Sequence, residues 1–236
     1  SSPLFIFEWI LKVEEGSTPA IPISSRYIFF YISYLIEQNK FTEAKQIIDQ
    51  VDLLNTNLLT AQTKKWIDKK ELKKFDKFFS CKKESDIISE FFFLIASLYS
   101  SQNDFEESNF YLNISNFLNP KFKFNLSLLA ENYYKKKNYT KSKKILNLLS
   151  DNNEIYYWYK IKKKANIIFK ESDQENSINY INLNFEKIKN PSTKILFDMA
   201  NIAKGFKKYE VAINYYNMVL SMLKPTSLSY PDILYR

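Results

Sequence analysis

Hydrophobic residues recur along most of the chain at the three- and four-residue spacing of a single helix face. The clearest example is the run 91–99, in which Phe92, Ile95, Ala96 and Tyr99 fall on one face. No segment sustains the two-residue alternation, bounded by turn residues, that a half-buried β-strand requires. Seven prolines, at positions 3, 19, 22, 120, 191, 225 and 231, mark boundaries between helical segments. The pattern predicts an all-α protein.

Small residues recur within this pattern at a regular interval. Four of these residues, which we call anchors, are separated by 34 or 35 positions: Ser108, Ser142, Ser177 and Ala212. A fifth anchor, Ala44, stands 64 residues before Ser108. Twelve residues before each anchor stands another small or aliphatic residue: Ile32, Ala96, Ala130, Ala165 and Ala200. Three positions before the anchor the residue is aromatic, except in the unit of Ser177: Phe41, Phe105, Tyr139, Gln174 and Tyr209. A period of this length indicates a helical-repeat protein.

The spacing has a physical reason. A small residue on each of two antiparallel helices lets their axes approach closely, and an aromatic side chain at the turn closes the end of the pair. Serine is also small, and we expect its hydroxyl to bond to a carbonyl of the preceding turn of its own helix. Because one pair cannot bury its apolar face alone, we expect successive pairs to stack into an α-solenoid.

We expect six such pairs, at about 25–55, 55–84, 85–120, 121–153, 154–191 and 192–225; the pair at 55–84 is degenerate. Residues 1–24 predict an N-terminal helix, at about 4–15, followed by a linker that contains proline. Residues 226–236 predict the start of a further repeat helix that is cut short. The chain begins without methionine, and we interpret it as a segment of a longer protein.

One family shares these motifs. They are Ala96-x2-Tyr99, Asn103-Asp104-Phe105-x2-Ser108 and Pro120, then Ala130-x2-Tyr133 and Asn138-Tyr139-x2-Ser142, then Ala200 and Tyr209-x2-Ala212. The chain resembles the tetratricopeptide repeat (TPR) family in its bacterial form, whose unit is a helix–turn–helix of about 34 residues. It departs from that family in lacking the tryptophan and the glycine early in the first helix. The resemblance implies a scaffold for protein–protein interactions whose first helices line a concave, peptide-binding groove.

The helical phase of these units selects the positions that would face such a groove. They are Phe93, Ser97, Ser127, Glu131, Tyr134, Lys162, Asn166, Phe169, Phe197 and Asn201. Of these, Lys162 and Asn166 resemble part of the family's clamp for a peptide carboxyl terminus, and we expect them to act as polar anchors. Asp198 stands where that clamp would need a neutral amide, and it would repel a carboxylate. We therefore expect a groove for an extended or helical peptide, with the three phenylalanines as apolar contacts.

The amino-acid composition argues against most kinds of catalysis and metal binding. The sequence has no histidine, which excludes imidazole catalysis and histidine-ligated metals, and only two glycines, which argues against phosphate-cradling loops. Its single cysteine, Cys81, cannot form an intrachain disulfide, although the neighbouring Lys82 and Lys83 could lower the pKa of its thiol. The carboxylates are scattered at turns and on solvated faces. We expect a non-catalytic protein with no cofactor and no metal.

Charge leaves a second hypothesis open. Residues 121–170 contain 13 lysines and three acids, Glu131, Asp151 and Glu154, within a chain whose net charge is +8. This Lys-rich surface is compatible with an RNA-binding helical-repeat protein, and aromatic residues lie among the lysines. The near absence of arginine argues against that hypothesis, because bidentate phosphate contacts favour arginine. A solvated lysine face, produced by base composition alone, is the simpler interpretation.

No segment resembles a membrane span. The longest apolar runs, Tyr27–Ile36 and Phe91–Tyr99, have about half of the length that a bilayer requires. We therefore expect no transmembrane helix, and we expect a cytoplasmic location and a protein or peptide partner.

Overall fold

The structure is a computed structural model that describes residues 23–52, 54, 57–227 and 229–235. These residues form thirteen α-helices and no β-strand, which confirms the all-α prediction. The predicted helix at about 4–15 lies outside the described residues. The helices are α1 (Ile23–Glu37), α2 (Phe41–Asp49), α3 (Leu58–Asp68), α4 (Lys73–Phe78), α5 (Glu84–Ser101), α6 (Phe105–Leu118), α7 (Asn125–Lys135), α8 (Tyr139–Asn147), α9 (Glu154–Glu171), α10 (Gln174–Phe185), α11 (Thr193–Gly205), α12 (Tyr209–Met222) and α13 (Tyr230–Leu234).

Consecutive helices pack as hairpins through the small residues that the sequence marks. The pairs are α1–α2, α5–α6, α7–α8, α9–α10 and α11–α12, and the short α13 packs on α12. Every anchor, and every residue twelve positions before one, is buried: Ala44, Ser108, Ser142, Ser177, Ala212, Ile32, Ala96, Ala130, Ala165 and Ala200. The described part of the chain is therefore all-helical and repeat-like in character.

The anchor serines do not bond within their own helix, contrary to our expectation. Instead each hydroxyl crosses the hairpin and donates to the carbonyl twelve residues upstream. Ser108 reaches Ala96 at 2.8 Å, and both Ser142 to Ala130 and Ser177 to Ala165 measure 2.9 Å. The close approach that the small residues permit brings the hydroxyl within reach of the facing backbone. The serine is thus a specific contact between the two helices as well as a small residue.

The turns inside the hairpins share one geometry, except between α9 and α10, where Ser172 has a φ of −131°. Five residues before the anchor, the backbone takes the left-handed conformation, with φ between 54° and 64°; the residues are Asn39, Asn103, Lys137 and Lys207, with Lys70 between α3 and α4. The next amide then bonds back to a carbonyl in the last turn of the first helix, as Asn138 N does to Tyr133 O at 2.8 Å. Because Lys70 has this conformation in the turn between α3 and α4, the anchor position of that pair, five residues later, is Phe75. The turn therefore gives the repeat register of α3–α4, which the sequence pattern does not assign.

The first two pairs do not simply precede the others in a stack. Helix α3 runs alongside α1, α2 and α9, whereas neither α3 nor α4 runs closely alongside α5. Arg26 of α1 reaches Glu90 of α5 and Asn125 of α7, and Lys65 of α3 reaches Glu154 of α9. Helices α1 and α3 therefore lie against the first helices of the later pairs, α5, α7 and α9.

Candidate functional site

A cleft of about 580 Å³ lies between α3 and the three helices α7, α9 and α11. Apolar and aromatic side chains form much of its lining: Leu58, Ala61, Phe124, Ile155, Trp158, Tyr159 and Ile195. Trp158 and Leu58 are buried, so the tryptophan is fixed in the wall of the cleft. The volume falls within the range of about 300–1,000 Å³ that is usual for ligand pockets.

At one end of the cleft, two lysines contact the same carboxylate. Asp198 Oδ2 accepts hydrogen bonds from Trp158 Nε1 at 2.9 Å and from Lys162 Nζ at 2.6 Å. Lys194 Nζ lies 3.5 Å from Asp198 Oδ1 and also donates to the Leu54 carbonyl. Burial lowers the pKa of Lys194, and the Asp198 carboxylate opposes that shift. The charge of Lys162 also lowers the pKa of Lys194, and Asp52 is a second carboxylate that acts against the shift.

The other end is held by a bridge between α3 and α9. Lys65 Nζ donates to Glu154 Oε2 at 3.2 Å, and Glu154 Oε1 accepts from the Ser192 amide at 3.2 Å. Between the two ends, the Tyr159 hydroxyl donates to the Ser127 carbonyl at 3.4 Å. Burial raises the pKa of Tyr159, and the Glu131 carboxylate raises it further. The arrangement offers an apolar floor with charged groups at both ends.

Two of the predicted groove residues line this cleft, namely Ser127 and Lys162. Two others cannot contact a partner as we expected, because Phe93 is only 3 % exposed and Phe197 only 5 %. The ring of Phe93 lies 3.5 Å from the Arg26 guanidinium carbon, so α1 covers the position that we assigned to a ligand. Phe197 packs against Tyr216 in the core that α11 and α12 share.

The remaining predicted residues lie outside the cleft. Glu131 Oε2 accepts from Lys163 at 2.5 Å, and the ring of Tyr134 packs against that of Tyr139. The Ser97 hydroxyl donates within its own helix, and Asn201 accepts from the Tyr216 hydroxyl at 2.7 Å. Asn166 and Phe169 are exposed on α9. The structure therefore brings Ser127 and Lys162 together and leaves the other eight positions dispersed.

The α3 side of the cleft could not be predicted from the sequence pattern. Leu58, Ala61 and Lys65 belong to the pair whose phase the pattern leaves unassigned, so nothing indicated which way they face. The repeat pattern assigns no position to Trp158 either, although its indole N–H donates to Asp198. A signal for the start of α3 was present at Asn57, which caps the helix by accepting from the Leu59 and Thr60 amides at 3.0 Å.

Much of the Lys-rich surface at 121–170 is paired with acids. Five of its lysines have a carboxylate partner, and most of these pairs link neighbouring helix hairpins: Lys136–Glu106, Lys143–Glu171, Lys160–Asp151, Lys162–Asp198 and Lys163–Glu131. Among the described residues, no acid forms an ion pair with Lys164, which donates to Asn147 at 2.6 Å; burial and then Lys160 lower its pKa. Internal pairing therefore reduces the charge that this surface offers to a polyanion.

The thiol of Cys81 is not activated. Burial raises its pKa, and the carboxylates of Glu37 and Asp86 raise it further, which outweighs the neighbouring lysines. Within the described ranges, no three acidic or cysteine side chains lie close enough together to hold a metal ion.

Comparison of the sequence with models of known protein families finds no family that matches, and comparison with curated proteins finds no match either. In the part of the chain that the structure describes, no helix is both long enough and apolar enough to cross a membrane. The fold and the cleft are thus the observations that bear on function.

Proposed function

We propose that this protein is a non-catalytic helical-repeat scaffold, TPR-like in its hairpins, that binds a protein partner through the cleft between α3 and α7, α9 and α11. The observation that carries the proposal is the apolar cleft of about 580 Å³ with charged side chains at its ends. The recurrence of one turn geometry and one serine–carbonyl contact supports treating the hairpins as repeats of a solenoid.

The shape of the cleft favours a short peptide segment over a large folded surface. Its floor accommodates two or three apolar side chains, and its ends offer hydrogen bonds to the flanking peptide backbone or polar groups. Lys162 and Lys194 share Asp198, so an acidic residue in the peptide would relieve their mutual repulsion. A partner with apolar residues next to an acid fits this arrangement best.

Selection from a random peptide library tests the proposal, with Ala61→Trp as the variant. Ala61 lines the cleft from α3, and a tryptophan there would fill the space without removing a buried group. We expect peptides selected on the unmodified chain to lose at least tenfold in affinity for Ala61→Trp. Thr140→Trp, at an exposed position on α8, is the matched control and should bind unchanged. The urea midpoint of each variant verifies that both are folded.

An RNA-binding role through the Lys-rich surface at 121–170 gives a different result in the same design. In that case single-stranded RNA would bind the unmodified chain, and Lys137→Glu together with Lys144→Glu would abolish binding while Ala61→Trp would not. Peptide binding that Ala61→Trp leaves intact would contradict the cleft as the site.

A further inference from the structure

A stripe of large apolar side chains on α5 faces solvent. Ile87, Phe91 and Leu98 are separated by four and seven residues, so they lie on one face of the helix, and the exposed fractions of the last two are 58 % and 62 %. The buried residues of α5, among them Phe93 and Ala96, occupy the opposite face. Helix α5 therefore has a covered face and, opposite to it, an apolar stripe that is not covered.

Helix α6 continues the same surface. Phe110 and Phe117, seven residues apart, are 61 % and 82 % exposed. Aromatic contacts join Phe110 to the α5 stripe, because the ring of Phe91 lies 5.8 Å from Phe92, Phe92 lies 5.9 Å from Tyr111, and Tyr111 lies 5.3 Å from Phe110. Phe117 lies two turns further along the same side of α6 as Phe110. We call the continuous surface formed by Ile87, Phe91, Leu98, Phe110 and Phe117 the α5–α6 apolar face.

The fold explains why this face is open. The next hairpin, α7–α8, packs against α5 and α6 on their other side, where Asn132 of α7 donates to Ser108 and Asn109 of α6. A preceding hairpin would cover the apolar face in a regular stack, but α3 lies against α9 instead. Contiguous apolar surfaces of this kind are rare on soluble chains unless they bind something.

The charge around the face indicates what it binds. Residues 84–118 contain six acids and neither lysine nor arginine, although the whole chain carries a net charge of +8. Glu90 and Glu106 are paired with Arg26 and Lys136. Among the described residues no cation forms an ion pair with Glu84, Asp104 or Glu107, and Glu84 and Glu107 are exposed. Lys83, immediately before α5, is also exposed, so the acidic border of the face consists of Glu84 and Glu107.

We propose that the α5–α6 apolar face is the docking surface for a basic amphipathic helix, one whose apolar ridge is flanked by lysines or arginines. Apolar stripes on two adjacent helices suit a helix with apolar residues at positions i, i+3, i+4 and i+7. The acidic border attracts a basic partner. It disfavours a second copy docked through the same face and an anionic lipid surface, because both would oppose like charges. This site is separate from the cleft.

Two synthetic helical peptides of 20 residues test the proposal. They share one ridge of leucines and differ only in their flanks, which are lysine in one and glutamate in the other. We expect fluorescence anisotropy to show saturable binding of the lysine peptide to the intact chain and at least tenfold weaker binding of the glutamate peptide. Phe91→Ser and Phe117→Ser should each weaken the lysine peptide by about tenfold, since interface aromatics dominate binding.

A charge variant and a matched apolar control complete the design. Glu107→Lys should weaken the lysine peptide severalfold, whereas Leu183→Ser, an exposed apolar change on α10, should leave its affinity unaltered. Equal binding of both peptides, or equal loss in Phe117→Ser and Leu183→Ser, would overturn the proposal. Sedimentation of the chain alone at rising concentration decides the remaining case: a dimer that Phe117→Ser disperses would overturn it in favour of self-association.

Discussion

Five side chains in the hairpin turns occupy a backbone region that favours glycine. Asn39, Asn103, Lys70, Lys137 and Lys207 all have positive φ, and the chain does not use its rare glycines there. Left-handed backbone brings Cβ close to the following carbonyl, which costs about 1–2 kcal/mol for most residues. Asparagine adopts the conformation at lower cost than lysine does, because its short polar side chain can bond locally. The three turns with lysine at this position are therefore strained, and a substitution of the lysine could relieve that strain.

Replacing one of these lysines with glycine should stabilise the chain. We expect Lys207→Gly to raise the free energy of unfolding by about 0.5–1 kcal/mol, because the glycine relieves the strain while its greater freedom in the unfolded chain offsets part of the gain. The side chain of Lys207 is exposed, so little else is lost. Urea unfolding measures the change, and Lys208→Gly, next in sequence with a φ of −87°, should show no gain. A loss in Lys207→Gly would contradict the turn geometry.

At the scale of the helix pair, an anchor serine adds a hydrogen bond between the two helices, in place of the purely apolar contact that an anchor alanine makes. The Ser142 hydroxyl donates to the Ala130 carbonyl at 2.9 Å, and the residue is buried. We expect Ser142→Ala to lower the free energy of unfolding by about 1 kcal/mol, the usual net value of one such bond. In Ser221→Ala the lost bond lies within one helix at an exposed position, and stability should be unchanged or slightly increased. Equal effects of the two changes would mean that the cross-hairpin bond is not stabilising.

The small residues of each pair set how closely its helices approach. Ala200 of α11 is fully buried, and its partner position on α12 is Ala212. We expect Ala200→Leu to wedge the pair apart and to lower the free energy of unfolding by about 1–3 kcal/mol, the usual cost of overpacking. Asn214→Leu, at an exposed position on α12, introduces the same side chain without crowding and should be nearly neutral. An unchanged melting temperature in Ala200→Leu would contradict the assigned packing.

The sequence predicts which helices form pairs, but it does not predict which other helices cover the faces of those pairs. Anchors such as Ser108 and Ser142 are recognisable because each stands twelve positions after an alanine, and closely packed helix pairs require small residues at both places. The pair α3–α4 carries Thr63 and Phe75 at those positions, so its register is visible only from the turn at Lys70. Helical phase likewise places Phe93 on an inner face but does not indicate which element covers that face. The cleft depends on how α3 docks, and no local pattern encodes that.

At the scale of the molecule, one buried cation joins the first four helices to the rest. Arg26 of α1 donates from Nε to Glu90 Oε1 of α5 at 2.8 Å and from Nη1 to Asn125 Oδ1 of α7 at 3.3 Å. Four phenylalanine rings surround its guanidinium, at distances of 3.5–5.9 Å: Phe30, Phe93, Phe122 and Phe124. Burial lowers the pKa of Arg26, and the Glu90 carboxylate opposes that shift. Ion pair and ring contacts together fix α1 on the first helices of the later pairs.

A double-mutant cycle on Arg26 and Glu90 tests how helices α1–α4 are joined to the later helices. We expect Arg26→Met to lower the free energy of unfolding by about 3–5 kcal/mol, because Glu90 would remain largely buried without a cation. Adding Glu90→Met should recover most of that loss, since two apolar side chains among phenylalanine rings can replace a buried ion pair at little cost. Urea unfolding of the two single variants and the double variant supplies the cycle.

The same variants also show whether the docking of α1 positions α3 at the cleft. In Arg26→Met we expect α3 to lose its fixed place against α9, so peptides selected for the cleft should bind at least tenfold more weakly even where the chain is still folded. The double variant should regain both stability and binding, because it restores the packing without the charge. Recovery of stability with no recovery of binding would mean that Arg26 positions α3 through its hydrogen bonds to Glu90 and Asn125 rather than through packing.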